Sequence, residues 1–346
     1  MACYCSIRHK PIYNIYLVYA FFMFNLRRVL SMKKRLLDLN ANDINDMSKE
    51  EKLLSIKMSE GRTLVTEIIT MVPPLLLDIS NVELAAGFGS DIILLNLYDV
   101  NAPKVFGIPE IEGQSVIETI KAYTGRMVGV NLEPVDPNLN IEDEKVSISK
   151  GRTAQLENVG KLIKQGADFV VLTGNPKVGV TNEKIIHCVE AIKKAYGEKI
   201  IIVAGKMHAA GDIKNVGTGI VSKEVIKSLV EKGTDIILLP APGTVPGMTV
   251  EYVKDMIDYT HSLGAMTLTT IGTSQEGADE STIKTIALYS KMAGTDMHHI
   301  GDCGYGPGIA IPENIMNYSI VIKGKRHTYR RMVRSVNRKE DTVLHT

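Results

Sequence analysis

The feature that most constrains the fold is a short pattern that occurs four times, Gly-x-Asp followed by a run of mostly apolar residues. The copies begin at Gly89, Gly166, Gly233 and Gly294, and each follows an amphipathic helical pattern. Glycine suits the left-handed residue that ends a helix, the aspartate forms the turn, and the apolar run enters a buried strand. Because the apolar residues are consecutive, the strands are expected to be parallel and covered on both faces.

Strands and helices alternate along the rest of the chain, which is typical of βα units. Eight strands are predicted, at residues 75–79, 91–97, 127–132, 169–173, 200–204, 236–239 and 266–271 and in the last copy of the pattern. An additional helix at residues 43–60 contains the capping-box pattern of Ser48 and Glu51. We therefore predict an α/β fold, a single (β/α)8 TIM barrel with an extra N-terminal helix and a basic C-terminal extension; about 250 residues are typical of such a barrel.

The predicted barrel spans residues 32–335, and both ends of the chain differ from it. Residues 1–31 hold three of the six phenylalanines, and their apolar stretch is shorter than the roughly 20 residues of a spanning helix. We interpret them as an extraneous or disordered extension before a native start at Met32, with a membrane or export role as the alternative. Residues 336–346 are predicted to be a disordered tail.

Charge and cysteine content limit the partners and the compartment. The net charge of +1 gives no indication of a nucleic-acid partner, and no membrane partner is expected. Four scattered cysteines argue against a disulfide framework or a structural zinc site, so a reducing cytoplasm is the predicted localisation. The basic stretch 323–334 is interpreted as a solvated tail or as a helix face that meets an acidic partner subunit, and a homo-oligomer stays open.

Barrels of this kind carry their chemistry on the loops that follow the strands. Loops after strands seven and eight commonly hold a phosphate through backbone N–H groups, and both are glycine-rich here. A small phosphorylated substrate is therefore predicted, although the same glycines would suit plain turns. Its predicted binding residues are Asp78, Asn96, Asn131, Thr173, Gly272, Thr273, Ser274, Gly301, Asp302, Gly304 and Gly306. The acidic Glu276 and Asp302 weaken this interpretation unless they bind sugar hydroxyls or a metal.

Four residues are predicted to be catalytic. Lys206 ends strand five, where desolvation in the barrel mouth would suit Schiff-base or proton-transfer chemistry, or it pairs with Glu133 or a phosphate without reacting. His208 follows two residues later, and of the adjacent histidines on strand eight we expect His298 to point inward. With Glu133 these histidines are the predicted acid–base partners. No cofactor is predicted; a divalent metal held by histidines and carboxylates is the alternative.

From about residue 32 to 334 the chain resembles a family of uncharacterised bacterial barrel proteins, often labelled haloacid-dehalogenase-like hydrolases. The stretches that carry the resemblance are LLLDISNVELAAGFGSDIILLN, VVLTGNPKVGVTNE, AGKMHAAG, LLPAPGTVPG, IGTSQEGAD, HHIGDCGYG and IKGKRHTYRRM. The resemblance implies a fold but no established reaction. The hydrolase label requires an Asp-x-Asp motif, whereas the corresponding stretch here is Asp78-Ile79-Ser80. The chain is also similar to class I aldolases through Lys206, but their lysine usually lies on strand six or four.

The predicted function is that of an enzyme on a small phosphorylated metabolite, most simply a sugar phosphate, with lyase, aldolase or isomerase chemistry at the C-terminal mouth of the barrel. A metal-dependent hydrolase or epimerase is one alternative. A non-catalytic phosphosugar-binding protein is the other, because a barrel by itself does not specify a chemistry.

Overall fold

The computed structural model describes residues 34–135, 148–174, 179–207, 219–272, 274–302 and 306–338. Eight parallel strands form a closed barrel in sequence order, since the first strand pairs with both the second and the eighth. The strands are β1 (Thr63–Ile69), β2 (Ile92–Asn96), β3 (Met127–Leu132), β4 (Phe169–Leu172), β5 (Ile201–Gly205), β6 (Ile236–Pro240), β7 (Met266–Ile271) and β8 (Met297–Ile300). The predicted TIM barrel is confirmed.

A helix follows each strand, and two helices precede the barrel. They are α1 (Ala41–Asp46), α2 (Lys49–Lys57), α3 (Asn81–Gly87), α4 (Val116–Thr124), α5 (Leu156–Lys164), α6 (Asn182–Tyr196), α7 (Lys223–Glu231), α8 (Val250–Ser262), α9 (Glu280–Ala293) and α10 (Pro312–Val333). Within the ranges described above, no helix combines the length and the apolar composition needed to cross a membrane. Residues 1–31 and 339–346, which include most of the two predicted disordered ends, lie outside those ranges.

The predicted N-terminal helix is in fact two helices, because the chain is extended at Met47 and begins again at a capping box. Ser48 and Glu51 form that box as predicted, with the Ser48 backbone N–H donating to Glu51 Oε2 at 2.6 Å. Helix α2 then lies across the amino-terminal end of the barrel. Its Lys49 reaches Asp235 and its Lys52 reaches Asp168, each at 2.7 Å. This helix therefore covers the floor of the barrel.

The first strand lies at Thr63–Ile69, so its prediction at residues 75–79 is wrong. Residues 75–79 belong instead to an exposed loop of turns between β1 and α3, where Leu77 is 85% exposed and adopts a left-handed φ of 62°. The true strand carries an inward Glu67 and two threonines, which disguise it beside the neighbouring run of three leucines. Asp78, predicted to bind substrate at a strand end, consequently lies exposed in this loop.

The four Gly-x-Asp turns have one structural role, which is to fix pairs of strands at the amino-terminal end of the barrel. Each aspartate immediately precedes an even-numbered strand and accepts a hydrogen bond from a backbone N–H of the strand before it. The pairs are Asp91 with Leu64 (2.9 Å), Asp168 with Val128 (2.8 Å), Asp235 with Ile202 (2.7 Å) and Asp296 with Thr267 (2.8 Å). The sequence pattern thus identifies four equivalent hydrogen bonds, each of which links an odd-numbered strand to the strand that follows it.

Several residues of the basic C-terminal segment bind within their own chain, which corrects the interpretation of this segment as a solvated tail. Lys323 and Arg331 of α10 are fully buried and contact the buried carboxylate of Asp91, with Arg331 Nε donating to Oδ1 at 2.9 Å. Arg330 pairs with Asp38 at 3.0 Å. Arg126 is also buried there and donates to the backbone oxygens of Ser90 (2.8 Å) and Arg331 (2.6 Å). The last helix is therefore tied to the barrel floor by charges.

The core consists of two shells separated by the strands. Side chains that point outward pack against the helices, and a second cluster, which includes Val65, Met127, Phe169 and Leu238, fills the barrel interior. In that interior the Phe169 ring occupies the space beside Gly129. A Cβ atom at Gly129 would lie 2.3 Å from the ring, well inside contact distance.

We expect Gly129→Ala to destabilise the protein by about 1–3 kcal/mol, the usual effect of overpacking a core. Urea unfolding of the full chain measures the loss. Phe169→Leu introduced into the same variant makes room for the methyl group and should recover part of it. Equal stability of Gly129→Ala and the wild type would show that the ring is free to move and that the interior is loosely packed.

Candidate active site

A layer of polar side chains lies at the carboxyl-terminal ends of the strands, inside the barrel. Successive residues of a strand point to opposite faces, so residues two positions beyond an interior apolar side chain point into the mouth. Glu67, Asn96, Asn131 and His299 occupy such positions, after Val65, Leu94, Gly129 and Met297 respectively. This is the end at which TIM barrels place their chemistry.

Glu67 and His299 form the centre of this layer. His299 Nε2 lies 2.9 Å from Glu67 Oε2, and the two side chains are only 1% and 6% exposed. The other Glu67 oxygen accepts a hydrogen bond from the Asn96 amide. Neither ring nitrogen of His299 has a well-directed hydrogen bond to another described residue, and Nδ1 has no partner there. A buried histidine thus has a carboxylate 2.9 Å from one ring nitrogen, and its other ring nitrogen has no partner among the described residues.

Asn96 is itself fixed by its neighbours. Its Oδ1 accepts the backbone N–H of Leu97 at 2.8 Å, and Leu97 adopts a left-handed φ of 59° that is unusual for a bulky residue. Conformations of this kind occur often at functional sites. Next along the barrel, the Asn131 amide nitrogen donates to Asn96 Oδ1 at 3.2 Å in one orientation of the amide, and in the other orientation it donates to the carbonyl oxygen of Val171 at 3.1 Å. Polar side chains of β1, β2 and β3 therefore lie in one layer with His299 of β8, and the Glu67–Asn96 hydrogen bond links β1 to β2.

Glu133 extends the site beyond β3. Arg152 donates to its Oε1 at 2.8 Å, whereas its Oε2 is buried and has no partner among the described residues. Burial raises the pKa of Glu133, and the charge of Arg152 offsets only part of that effect. The predicted pairing with Lys206 is replaced by this pairing with Arg152. Thr173, predicted from the end of β4, is buried beside the same region and presents its carbonyl oxygen 3.2 Å from Asn131.

His298 points away from the mouth, so the expectation that it faces inward is wrong. It is fully buried between the barrel and α10, with Nδ1 3.2 Å from the Tyr318 hydroxyl and Nε2 3.0 Å from the carbonyl oxygen of Gly61. Burial lowers the pKa of His298 to about 3, so the ring is neutral at physiological pH. Its contacts are those of a structural side chain, and His299 takes the predicted inward position.

Lys206 lies on the outer side of the barrel. Gly205 continues the inward face of β5, and Lys206 borders a small cavity with Asn182 of α6 and with Ile220. The pKa of Glu183 is lowered by its own backbone N–H, by the Thr181 hydroxyl and also by the charge of Lys206. The lysine is therefore near the start of α6, a position that gives a Schiff base in the mouth no geometric support. His208 lies outside the described residues.

The glycines predicted to bind phosphate serve close packing and turns where the structure describes them. A Cβ at Gly301 would lie 2.8 Å from the Ile271 carbonyl oxygen, and one at Gly272 would lie 3.1 Å from Met207 Sδ. Gly306 has a left-handed φ of 94°, as a turn requires, and Ser274 has one of 77°. Thr273 and Gly304 lie outside the described residues.

The backbone donors of these loops are also used inside the protein. The N–H groups of Gly301, Gly277 and Ala278 donate to the carbonyl oxygens of Ile271, Ser274 and Gln275. Asp302 follows Gly301 and adds a negative charge near Glu276. The N–H groups named here are therefore not available to bind an anion. Phosphate binding stays a prediction.

Metal ligation is the alternative to purely organic acid–base chemistry. Within the described ranges, which omit His208 and Cys303, no group of three His, Cys, Asp or Glu side chains is arranged to hold a metal ion.

Sequence reasoning did not assign Glu67, His299 and Arg152 to the site. A signal for Glu67 exists, since a single glutamate interrupts the apolar stretch Thr63–Ile69. The choice between two adjacent histidines required the phase of β8, which only its pairing with β1 and β7 supplies. Arg152 follows a long loop, so nothing local placed it beside Glu133.

Comparisons with known proteins identify a family but no activity. Residues 37–338 match the model of a family described as Domain of unknown function (DUF7916). No curated protein matches the chain. Among solved structures, thiamine phosphate pyrophosphorylase from Pyrococcus furiosus is similar at 12% identity, covering 80% of this chain and 99% of that chain with a TM-score of 0.41. That score carries no functional argument. The family match agrees with the resemblance to an uncharacterised family, and it gives no support to the haloacid-dehalogenase-like label.

Proposed function

Since the chain belongs to a family of unknown function, DUF7916, its activity has to be inferred from its site, and we propose that it is a proton-transfer enzyme. The reaction is of the isomerase or lyase type, at a carbon next to a carbonyl group of a small polar metabolite. His299 is the acid–base residue, and Glu67 is the positioning residue that holds it. Sugar phosphates are the first substrate class to test.

One observation carries this proposal, the contact between Glu67 and His299 in the barrel mouth. Histidine is the side chain that enzymes use most often for general acid–base catalysis. The carboxylate beside Nε2 favours the tautomer that carries its proton there, which leaves the Nδ1 lone pair to accept a proton from the substrate. Asn96 restrains the carboxylate in turn, so the arrangement needs little reorganisation during the reaction.

The surrounding layer supports a hydroxyl-rich substrate. Asn96 and Asn131 offer amide groups, and Glu133 has a buried oxygen without a described partner. Hydroxyl groups donate and accept hydrogen bonds, so they suit such a mixed set better than a strongly anionic group does. A phosphate on the substrate would have to bind at a distance from Glu276, near the rim of the mouth.

Solvent-deuterium exchange tests the proposal even while the product is unidentified. The full chain is incubated in D2O with pairs of hydroxy-carbonyl compounds, phosphorylated and unphosphorylated, and proton NMR follows each compound. We expect one class to acquire deuterium at the carbon next to its carbonyl group. Lys206→Met should exchange at a rate close to that of the wild type, and borohydride should trap no adduct on Lys206.

Two outcomes would contradict the proposal. A borohydride-trapped adduct on Lys206, lost in Lys206→Met together with exchange, would establish Schiff-base chemistry instead. Compounds that stabilise the protein thermally but never exchange would favour the non-catalytic binding protein.

A further inference from the structure

We propose that Glu276 is a second catalytic residue, a neutral carboxylic acid that protonates the carbonyl oxygen of the substrate, which is therefore an α-hydroxy carbonyl compound. This inference rests on the proposed function and names its substrate class. It concerns a side chain that the Glu67–His299 contact does not require, on the opposite part of the mouth from β3.

The position of Glu276 suits this role. It lies in a short 3-10 helix, Gln275–Gly277, in the loop after β7, and only 4% of the residue is exposed. A Cβ atom on Gly301 would lie 3.4 Å from Glu276 Oε1, so the carboxyl group packs against that glycine. Gly301 is two residues beyond His299 and continues the same inward direction. The Glu276 carboxyl therefore lies in the mouth above His299.

Helix α10 holds the segment that carries Glu276 in place. The Asn314 amide donates to the carbonyl oxygens of Glu276 at 3.0 Å and Ala278 at 2.9 Å. Asn314 is itself buried, and Gly301 donates its N–H to Ile271 at 2.9 Å. The backbone on both sides of the carboxyl group is thus fixed, as expected of a catalytic group rather than of a mobile surface side chain.

The surroundings of the Glu276 carboxyl group favour its neutral form. Glu276 Oε2 is buried and has no hydrogen-bond partner among the described residues, a costly arrangement for a carboxylate. Burial raises the pKa of Glu276 above its ordinary value, the Glu276 backbone N–H lowers it in part, and of the weaker charge effects Asp302 and Glu67 raise the pKa while His299 lowers it. A protonated carboxyl group resolves the conflict, because its O–H is a donor that a substrate carbonyl oxygen can accept.

The reaction balances with these two residues. His299 Nδ1 takes the proton from the hydroxyl-bearing carbon, and that electron pair forms a carbon–carbon double bond. The carbonyl π electrons move to oxygen, which takes the proton of Glu276, giving an enediol and a glutamate carboxylate. Glu276 then takes the proton of the other enediol hydroxyl as the new carbonyl forms there. The imidazolium of His299 returns its proton to the former carbonyl carbon, so no external reactant is needed.

Glu276→Gln is the sharpest variant, because the amide keeps the size and can donate a hydrogen bond but cannot deliver a proton. In the deuterium-exchange assay we expect a loss of roughly 10²- to 10⁴-fold, the usual contribution of general acid–base catalysis. The wild-type rate should fall as pH rises through the raised pKa of Glu276, since the acid must be protonated. That alkaline limb should be absent from the profile of Glu276→Gln.

A second measurement does not depend on turnover or on the variant's activity. In protein with 13C-labelled glutamate carboxyl groups, the resonance missing from both Glu276→Gln and Glu276→Ala should titrate above the ordinary glutamate range. A resonance that titrates at or below that range would overturn the inference. So would a wild-type exchange reaction that Glu276→Gln retains, with its alkaline limb intact. If the wild type itself shows no exchange, the proposed function fails while the titration still reports on Glu276.

Discussion

Replacing Asp91 by asparagine will destabilise the protein by about 3–5 kcal/mol, the usual loss when one partner of a buried ion pair is removed. Asp91 is fully buried and is the carboxylate that Lys323 and Arg331 contact, while Arg126 lies in the same cluster. The amide keeps the shape and can still accept the Leu64 N–H, which donates at 2.9 Å in the wild type. The loss therefore reports on buried positive charge, and urea unfolding of the full chain measures it.

Asp168→Asn is the matched control, because Asp168 occupies the same place in the repeat and accepts the Val128 N–H at 2.8 Å. Its partners Lys52 and Lys121 are 14% and 13% exposed, whereas Lys323 and Arg331 are fully enclosed. These lysines can turn to water, so we expect a clearly smaller loss. Equal losses in the two variants would show that the backbone hydrogen bond, not the enclosed charge, determines the effect.

The penalty in Asp91→Asn should also depend on pH. Burial lowers the pKa of Lys323 to about 8 even though Asp91 opposes this, so the unfolded chain binds more protons between pH 8 and the ordinary lysine pKa. The contribution of Lys323 to the free energy of unfolding of the wild type therefore rises with pH in that window. Without Asp91 the folded-state pKa of Lys323 is lower still, so the penalty should shrink as pH rises toward about 8 and stay constant above it.

Replacing His299 by glutamine will reduce the deuterium-exchange rate by roughly 10²- to 10⁴-fold, because the amide cannot accept a proton from carbon. Glu67→Gln will reduce kcat as well, with a smaller change in KM, because Glu67 acts on the ring of His299 and not on the substrate. If Glu67 had a purely structural role, Glu67→Gln would lower the stability of the protein without lowering kcat more than it changes KM.

His298→Gln provides the contrast on the same strand. It removes a fully buried ring that lies 3.2 Å from the Tyr318 hydroxyl, so it should reduce stability. At a temperature where the variant is folded, its exchange rate should remain near that of the wild type. Loss of exchange in His298→Gln, with retention in His299→Gln, would return the catalytic role to His298.

The sequence predicted the barrel because its strongest signal is local and repeated. Four Gly-x-Asp turns identify the even-numbered strands. In the structure each aspartate accepts a hydrogen bond from a backbone N–H of the preceding strand. The first strand was misplaced because an inward glutamate lowers the apolar character of Thr63–Ile69, while the leucines at 75–77 raise that of an exposed loop. A buried glutamate inside a strand thus weakens the apolar pattern by which the strand is recognised.

The site was less predictable because it depends on the phase and direction of side chains. Asn96, Asn131, Glu133 and Thr173 do lie near the mouth, since every strand end there points the same way. The orientation of His298 and His299 depends on the register of β8 with its neighbours. The surroundings of Lys206 depend on α6, and the destination of the basic C-terminal segment on Asp91, more than 200 residues earlier.

The central claim is that Glu67 and His299 act as one unit, and a double-mutant cycle on the deuterium-exchange rate tests it most directly. The four proteins are the wild type, Glu67→Gln, His299→Gln and the double variant, compared at a temperature where all are folded. Because Glu67 works only through His299, the double variant should be no slower than His299→Gln alone. Losses that multiply would contradict the account, since they would mean that the two residues contribute independently.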